Sequence, residues 1–502
     1  MFAGLTGPAI SAEAADRAWF WRLLWVSLGL RVLLAVLMPM GVDEAYALAV
    51  AREFSISFFD HPPLGFWSPV LATTLSGIEH PFIYRLPTLI YGTLSMILLY
   101  GIGREIGGSR VGFFSALLYA VSPIFLLSGV IILPDGPLAV GSAFCVLWLM
   151  RIAGAQGPVP LGHWALVGAG LGVALASKYQ AGLIPIATLV FMLAVPVGRR
   201  WFLRLGPYLA ACIALIGLVP VLVWNLQNNG ASFAFHGGRT GDGLNLDNLA
   251  LMAGGQVAYL LPPVLVLAGI GLWRGLRSGR PDLVLLAIIA LAPIVMFNAI
   301  YLISEASFPH WTMPGWLFAL PLAAFSMSQF QPRTLKRAKI ALIGFALPVA
   351  AIIMALTLHA STGVLTRFSQ PAPPWDDTRD LFDYSALHGV LQSRGDTQGI
   401  DLIAAKSWIT AGFMSLGMQG IWPVRVLNDP KHHFAFMSGE TLTGTALLLD
   451  PQLTVNAPAA LGQLLALAQR IDPTAVALKP VQLMRGGRAY VTVNVIRLNL
   501  GN

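Results

Sequence analysis

Charge is what the chain has least of: only 11% of its 502 residues are Asp, Glu, Lys or Arg, where soluble domains carry about 25%. That scarcity excludes an ordinary soluble enzyme. Cysteine is nearly absent. Cys145 and Cys212 both fall in apolar runs, where a thiol behaves as a small buried hydrophobe, so no disulfide framework or zinc motif is readable. A glycine-rich phosphate-cradling loop is missing. No internal repeat is evident either, which argues against a transporter assembled from inverted repeats.

Apolar residues are abundant instead, 56% of the chain with a mean hydropathy of +0.71. The 51 Gly, 34 Pro and 14 Trp are spread through long apolar stretches, as in polytopic helical membrane proteins. The net charge of +8 is scattered between those stretches and forms no single basic patch, which argues against nucleic acid as a partner.

A bilayer core takes about 20 apolar residues per helix, and eleven segments approach that length: Leu23 to Met40, Leu86 to Gly103, Val111 to Ile131, Pro137 to Met150, His163 to Ala176, Ala181 to Val197, Leu205 to Trp224, Leu249 to Leu272, Leu283 to Ile303, Trp311 to Met327 and Ile340 to Leu358. The first follows Glu13 and Asp16 and lacks a small-residue cleavage site, which reads as a retained anchor. One set of loops holds fifteen Lys and Arg, among them Arg199, Arg200, Arg333 and Lys339; the other holds four, Arg52, Arg85, Lys178 and Arg239. The positive-inside rule then puts the amino terminus in the cytoplasm. An odd number of spans sends the carboxyl end outside, into the periplasm of a Gram-negative cell.

After His359 the apolar runs stop, and Pro371, Pro373, Pro374, Asp376 and Asp377 arrive together as a linker signal. Residues 1–359 are thus expected to be the membrane domain and residues 360–502 a small α/β domain outside it. Within the second, Ile400 to Ala405, Val424 to Leu427, Ala446 to Leu449 and Tyr490 to Ile496 read as strands, and Ser385 to Ser393 and Leu461 to Ile471 have helical spacing.

The first outward loop, residues 41–85, is far longer than a connection requires, and such loops are usually functional. It carries Asp43, Glu44, Asp60, His61 and, at its end, Arg85. Glu44 to Phe54 and Leu64 to Leu75 have helical apolar spacing, which suits the membrane surface. Asp43 and Glu44 alone read as a helix start, where carboxylates favour the dipole, and Asp60-His61-Pro62-Pro63 alone as a proline-stiffened turn. Together at one outer interface they suit general-base work or cation binding. Asp135 lies in a short Pro/Gly turn. Lys178, the lone cation between the fifth and sixth spans, reads either as a snorkelling lysine or as an ammonium directed at a phosphate. The loop after Trp224-Asn225 holds Ser232, Phe233, His236 and Arg239, and the last outward link holds Glu305, His310 and Trp311; interfacial anchoring and substrate binding both account for these.

Read in order, Asp43-Glu44-Ala45-Tyr46, Phe58-Phe59-Asp60-His61-Pro62-Pro63-Leu64, Arg85-Leu86-Pro87, Pro134-Asp135-Gly136-Pro137-Leu138, Ser177-Lys178-Tyr179, Trp224-Asn225 with Ser232-Phe233, and His310-Trp311 resemble the polyprenyl-phosphate-sugar-dependent membrane glycosyltransferases of the GT-C class. The likeness is to the protein mannosyltransferase and lipid A aminoarabinose transferase group in particular. It implies an all-α polytopic membrane fold with an outer α/β domain, and a sugar transferred from a polyprenyl-phosphate donor to a glycolipid, glycan or protein acceptor at the outer face of the inner membrane. It implies Asp43 at the reaction centre, supported by Glu44 and with Asp60 as the loop's second acid. His61, Arg85, Asp135, Lys178, His236, Arg239 and His310 become substrate-binding candidates; His61 stands where some relatives have a lysine that meets the lipid phosphate. Asp401-Leu402-Ile403 and the stretch from Pro423-Val424 to Asp429-Pro430 resemble the outer domain of bacterial members. No cofactor is required, and the outer acids and histidines leave a divalent cation open.

A transporter or lipid flippase is the rival reading. It predicts ionisable groups at mid-membrane depth, whereas charge here gathers at helix ends and outer loops, with Arg31 the exception. A non-catalytic assembly or receptor protein would leave the outer acids without a purpose.

Overall fold

The computed structural model describes residues 8–238, 247–303, 308–365, 376–429, 432–438 and 442–501. Helix α1 (Pro8–Leu37) is 30 residues long, about 45 Å at 1.5 Å per residue, enough to cross a bilayer core of about 30 Å. Two shorter helices follow, α2 (Val42–Ala51) and α3 (Leu64–Ser76), and α4 (Pro81–Val121) runs back from them.

Helix α4 is two arms. Gly107 and Gly108 leave helical geometry, Gly108 at φ +79° and ψ −177°, a conformation that only glycine adopts readily. The arms then fold together closely at glycines. A Cβ on Gly112 would lie 2.7 Å from the Tyr100 carbonyl oxygen, and one on Gly103 2.8 Å from the Gly112 Cα. Gly112→Val is therefore expected to cost about 1–3 kcal/mol by overpacking, read as a lowered Tm in detergent. Gly269→Ala, which meets open space, should leave Tm nearly unchanged.

The chain continues through α5 (Pro123–Leu127), α6 (Asp135–Gly154), α7 (Leu161–Leu175), α8 (Leu183–Ala194), α9 (Pro196–Arg199), α10 (Leu205–Ile216), α11 (Val219–Gln227), α12 (Ala231–Gly237), α13 (Asp247–Leu260), α14 (Pro262–Leu276), α15 (Pro281–Tyr301), α16 (Met313–Ser328) and α17 (Pro332–Thr362). Small residues set the spacing of α6 and α7: a Cβ on Gly141 would touch the Ala174 nitrogen at 2.6 Å, and one on Gly170 the Cys145 nitrogen at 2.7 Å. Close backbone approach of this kind lets membrane helices pack by dispersion. Helix α17 turns Ile340, Ile343, Leu347 and Ile352 outward, as a lipid-facing helix would.

Each of the eleven predicted segments includes helix, but not every one is a straight span. Val111 to Ile131 is corrected to the second arm of α4 and α5, broken at Ser122 before Pro123, and Leu205 to Trp224 to α10 and α11, bent by 48°. Among the described residues five helices are long and apolar enough to cross a membrane, and eight if each bent pair counts as one. The segment predicted at Leu249 to Leu272 is corrected to two helices, α13 and α14, bent by 97°. The break falls at Leu261, φ +70°, before Pro262-Pro263; proline offers no N–H to the preceding turn and restricts the residue before it. The segment predicted at Ala181 to Val197 likewise stops at Ala194 and turns by 103° at Pro196.

The tail is a mixed sheet with helices α18 (Leu387–Ser393), α19 (Trp408–Gly417) and α20 (Ala457–Ile471). Its strands are β1 (Leu402–Ala405), β2 (Val424–Val426), β3 (Gly444–Leu453), β4 (Val476–Ala477), β5 (Val481–Arg485) and β6 (Arg488–Leu500), in the order β2-β1-β3-β6-β4 with β5 also on β6. β1 runs parallel to β2 and β3, and β3 pairs antiparallel with β6 from Gly444↔Leu500 to Leu453↔Val491. The four predicted strands land on β1, β2, β3 and β6, and the two predicted helices on α18 and α20. Helix α19, which the sequence reading missed, starts at Ser407, whose Oγ accepts from the Thr410 N–H.

Helix α19 is what joins tail to bundle. It lies on α2 so closely that a Cβ on Gly412 would sit 2.9 Å from the Tyr46 nitrogen. Residues Glu44 to Ala51 of α2 are consequently buried. The sequence expectation that α2 lies on the membrane surface is corrected: its alanines pack under the tail. A second tie runs from α17, where His359 Nε2 is 3.2 Å from Asp376 Oδ2, a carboxylate that also accepts from Tyr490 Oη at 2.7 Å.

Candidate active site

A buried ion pair sets the first outer loop on the bundle. Glu44 Oε2 accepts from the Gly41 N–H at 2.9 Å and so fixes the first turn of α2. Arg85, in the first arm of α4, donates to both Glu44 oxygens at 2.8 and 2.6 Å, and the Ile132 N–H adds a bond of 3.1 Å. The other Arg85 donors meet the carbonyls of Ala35, Met38 and Pro39 at the end of α1. Both side chains are fully buried. All of their hydrogen bonds hold protein to protein, joining α1, α2, α4 and the turn before α6.

Asp43, one residue earlier on α2, points the other way. Its side chain is solvent-exposed, yet protein crowds the cleft around it, and this desolvation, followed by repulsion from Glu44 and Asp135 and opposed by Lys178, raises its carboxyl pKa. Asp135 and Lys178 form the cleft's polar floor, Lys178 Nζ donating to both Asp135 oxygens at 3.0 and 2.8 Å with both side chains nearly buried. The proline motif of the first loop brings them together. Leu64 N–H bonds to the Ala176 carbonyl at 3.0 Å, and Gly65 packs so tightly on Pro134 that a Cβ would lie 2.9 Å from its Cα. His310, in the short turn Pro309–Thr312, joins the group electrostatically. Burial, then the Lys178 ammonium, push its pKa down to about 4 against the pull of Asp135, so it is neutral at pH 7.

Asp60 belongs to a neighbouring cluster. Tyr46 Oη donates to Asp60 Oδ1 at 3.0 Å, His61 Nε2 is 4.0 Å from Asp60 Oδ2, and His236 Nε2 donates to the Asp60 carbonyl at 2.9 Å. The tail reaches this cluster. The His433 N–H donates to Tyr46 Oη at 2.9 Å, and its Nδ1 accepts from the Phe59 N–H at 3.0 Å. Phe434 and Phe436 pack on Tyr46 and Phe59, with Trp224 against Phe436.

The structure therefore gathers Asp43, Asp135, Lys178 and His310 in one cleft and Asp60, His61 and His236 beside it, and sets Glu44 and Arg85 behind it. Arg239 and Glu305 lie outside the described residues. Among the described residues no group of three or more His, Cys, Asp or Glu is placed to hold a metal ion. Sequence reasoning missed Tyr46 as a link and His432-His433-Phe434 altogether. Consecutive histidines before an aromatic run were the only signal.

Burial holds the His433 imidazole at a pKa of about 3, below its usual 6.5, with His432 adding repulsion. Above pH 6.5 the ring is neutral whether the tail is docked and folded or not. Below it the unfolded form takes up a proton that the folded form refuses until about pH 3, so stability falls across that interval. At pH 5 the loss is about 2 kcal/mol. Limited proteolysis of the tail should accelerate from pH 7 to pH 5, and His433→Gln should reduce that acceleration.

Residues 60–224 match the dolichyl-phosphate-mannose-protein mannosyltransferase family. No curated protein matches the sequence. Among solved structures, ArnT from Cupriavidus metallidurans bound to undecaprenyl phosphate superposes with a TM-score of 0.62 at 15% identity, over 95% of this chain and 98% of that one. Its apo form gives 0.62 at 16% over the same shares. The Archaeoglobus fulgidus oligosaccharyltransferase in complex with Zn and sulfate gives 0.50 at 12%, over 93% and 72%. At these identities the likeness is one of fold: a GT-C helical membrane bundle with an α/β tail.

Proposed function

We propose that this multi-pass membrane protein is a glycosyltransferase that moves a sugar from a polyprenyl-phosphate donor to a glycolipid, glycan or protein acceptor at the outer face of a bacterial inner membrane. The observation that carries this reading is the cluster in which an exposed carboxylate, Asp43, is coupled to the buried Lys178–Asp135 pair at one end of an apolar bundle. The family match over residues 60–224 and the fold shared with an undecaprenyl-phosphate-bound enzyme support it.

The chemistry follows from the groups present. Asp43 accepts the proton of the acceptor hydroxyl as that oxygen bonds to the sugar's anomeric carbon. The bond from that carbon to the phosphate oxygen breaks, its electron pair leaving with the lipid phosphate. Raising a carboxylate's pKa makes it a stronger base. Lys178 spends two hydrogen bonds on Asp135 and keeps a third N–H for the phosphate, so Asp135 orients the ammonium. Tyr46 and His61 hold Asp60 at the cleft's edge.

A transporter would concentrate ionisable groups at membrane depth. Arg31, wholly buried between Gly92 and Gly129, is such a group, and its guanidinium makes no hydrogen bond among the described residues. Asp43, Asp60, Asp135 and Lys178 instead lie in or beside the outer loops, which favours chemistry at the surface.

Lys178 supplies the test. Lys178→Ala should raise the KM for a synthetic polyprenyl-phosphate sugar at least tenfold, because a charged hydrogen bond is worth about 1.5–3 kcal/mol, and Lys178→Arg should retain part of the wild-type value. An unchanged donor KM in Lys178→Ala would remove the phosphate-binding role.

A further inference from the structure

The end of the bundle away from the cleft carries a second concave site, a groove of about 500 Å³ where the first arm of α4 meets α6. Its polar wall is Arg104, Glu105 and Arg151, and its apolar wall includes Ile97, Leu98 and Leu147. From Asp135 in the cleft to Arg151 is sixteen residues of one helix, about 24 Å, against a bilayer core of about 30 Å. The groove therefore lies near the opposite membrane interface, where headgroups meet acyl chains.

Its charge is unbalanced. Arg151 donates to Glu105 at 2.7 Å and lies over the Trp148 ring at 4.5 Å, whereas Arg104 makes no ion pair or hydrogen bond among the described residues. Two guanidinium groups against one carboxylate leave one positive charge. Tyr100, on the same lining, has a buried hydroxyl with no hydrogen-bond partner. Toward the membrane centre α4 continues the apolar wall: Ile90 is 56% exposed and Leu94 40% exposed, spaced with Ile97 and Leu98 along one helix face.

We propose that this groove binds one anionic phospholipid, its phosphodiester held by Arg104 and Arg151 and an acyl chain lying along Ile97, Leu94 and Ile90. A single phosphodiester charge matches the single excess cation, and arginine's fork suits phosphate oxygens. A zwitterionic headgroup would bring an ammonium beside Arg104, which disfavours it.

The test uses the full chain, delipidated in non-ionic detergent, with native mass spectrometry and Tm as readouts. One phosphatidylglycerol should be retained, with a rise in Tm, under conditions that strip phosphatidylcholine of the same chains. Arg104→Gln should weaken that retention at least tenfold while leaving the lipid-free Tm unchanged, since Arg104 has no partner to lose. Arg151→Gln should weaken it too. Arg333→Gln, an exposed arginine at the start of α17, should not. Equal retention of the two lipids, retention unaffected by Arg104→Gln and Arg151→Gln, or an equal loss in Arg333→Gln would each overturn the proposal, the last by showing a general lipid shell. So would an equal rise in Tm from inorganic phosphate or glycerol 3-phosphate, which would make it a site for free phosphate.

Discussion

Asp43→Asn should lower sugar transfer by about 10² to 10⁴, the usual loss when a general base is removed, with Tm and donor binding unchanged. Asparagine keeps the size of the side chain, and the first turn of α2 is fixed by Glu44 on the Gly41 N–H and not by Asp43, so it has no reason to unfold. The substitution removes a carboxylate that is exposed in the cleft and pushed to higher pKa by desolvation and by its acidic neighbours. Transfer measured on purified protein with a synthetic donor, beside donor binding, separates the outcomes. Near wild-type turnover would move the base to Asp60. If Asp60→Asn were equally active, the mechanism drawn for the cleft would fall.

The second large effect falls on stability. Arg85→Ala should destabilise the protein by about 3–5 kcal/mol, because it leaves the Glu44 carboxylate buried without its countercharge. It also strips the carbonyls of Ala35, Met38 and Pro39 of their donor. Glu44→Gln should lower Tm in the same way while the folded fraction still transfers sugar, since every bond Glu44 makes holds the scaffold. The double variant Glu44→Met with Arg85→Met should recover part of the loss, as apolar replacement of both partners removes the stranded charge. A Glu44→Gln protein of wild-type Tm and no transfer would place Glu44 in the chemistry with Asp43. Asp43 and Glu44, adjacent in sequence, are thus distinguished by which observable each one moves.

That distinction was invisible in the sequence, where Asp43-Glu44 reads as one acidic pair. On a helix, neighbouring residues point about 100° apart, so one carboxylate faces the cleft while the other turns inward to Arg85. Local pattern gave much of the rest. Sustained apolar runs located the helices, because a span must be apolar over most of its length wherever it sits in the bundle. Short apolar or β-branched runs located β1, β2, β3 and β6. The break at Leu261 was readable in principle from Pro262-Pro263, but hydropathy averages across a bend.

The pairings are another matter. Lys178 reads as a lone cation in a tight turn, and the structure gives it Asp135, 43 residues away. Tyr46 reads as one more apolar position on α2, and it joins Asp60 to His433, 387 residues further on. Composition and periodicity determined the elements and the end of the bundle at which polar groups gather, since both rest on the free energy of placing a segment in lipid or water. Which side chains meet was decided by tertiary packing alone. A hydrogen bond between distant segments depends on how Gly65 seats on Pro134 and Gly412 on α2 to within a few tenths of an ångström, and no local sequence period encodes such a contact.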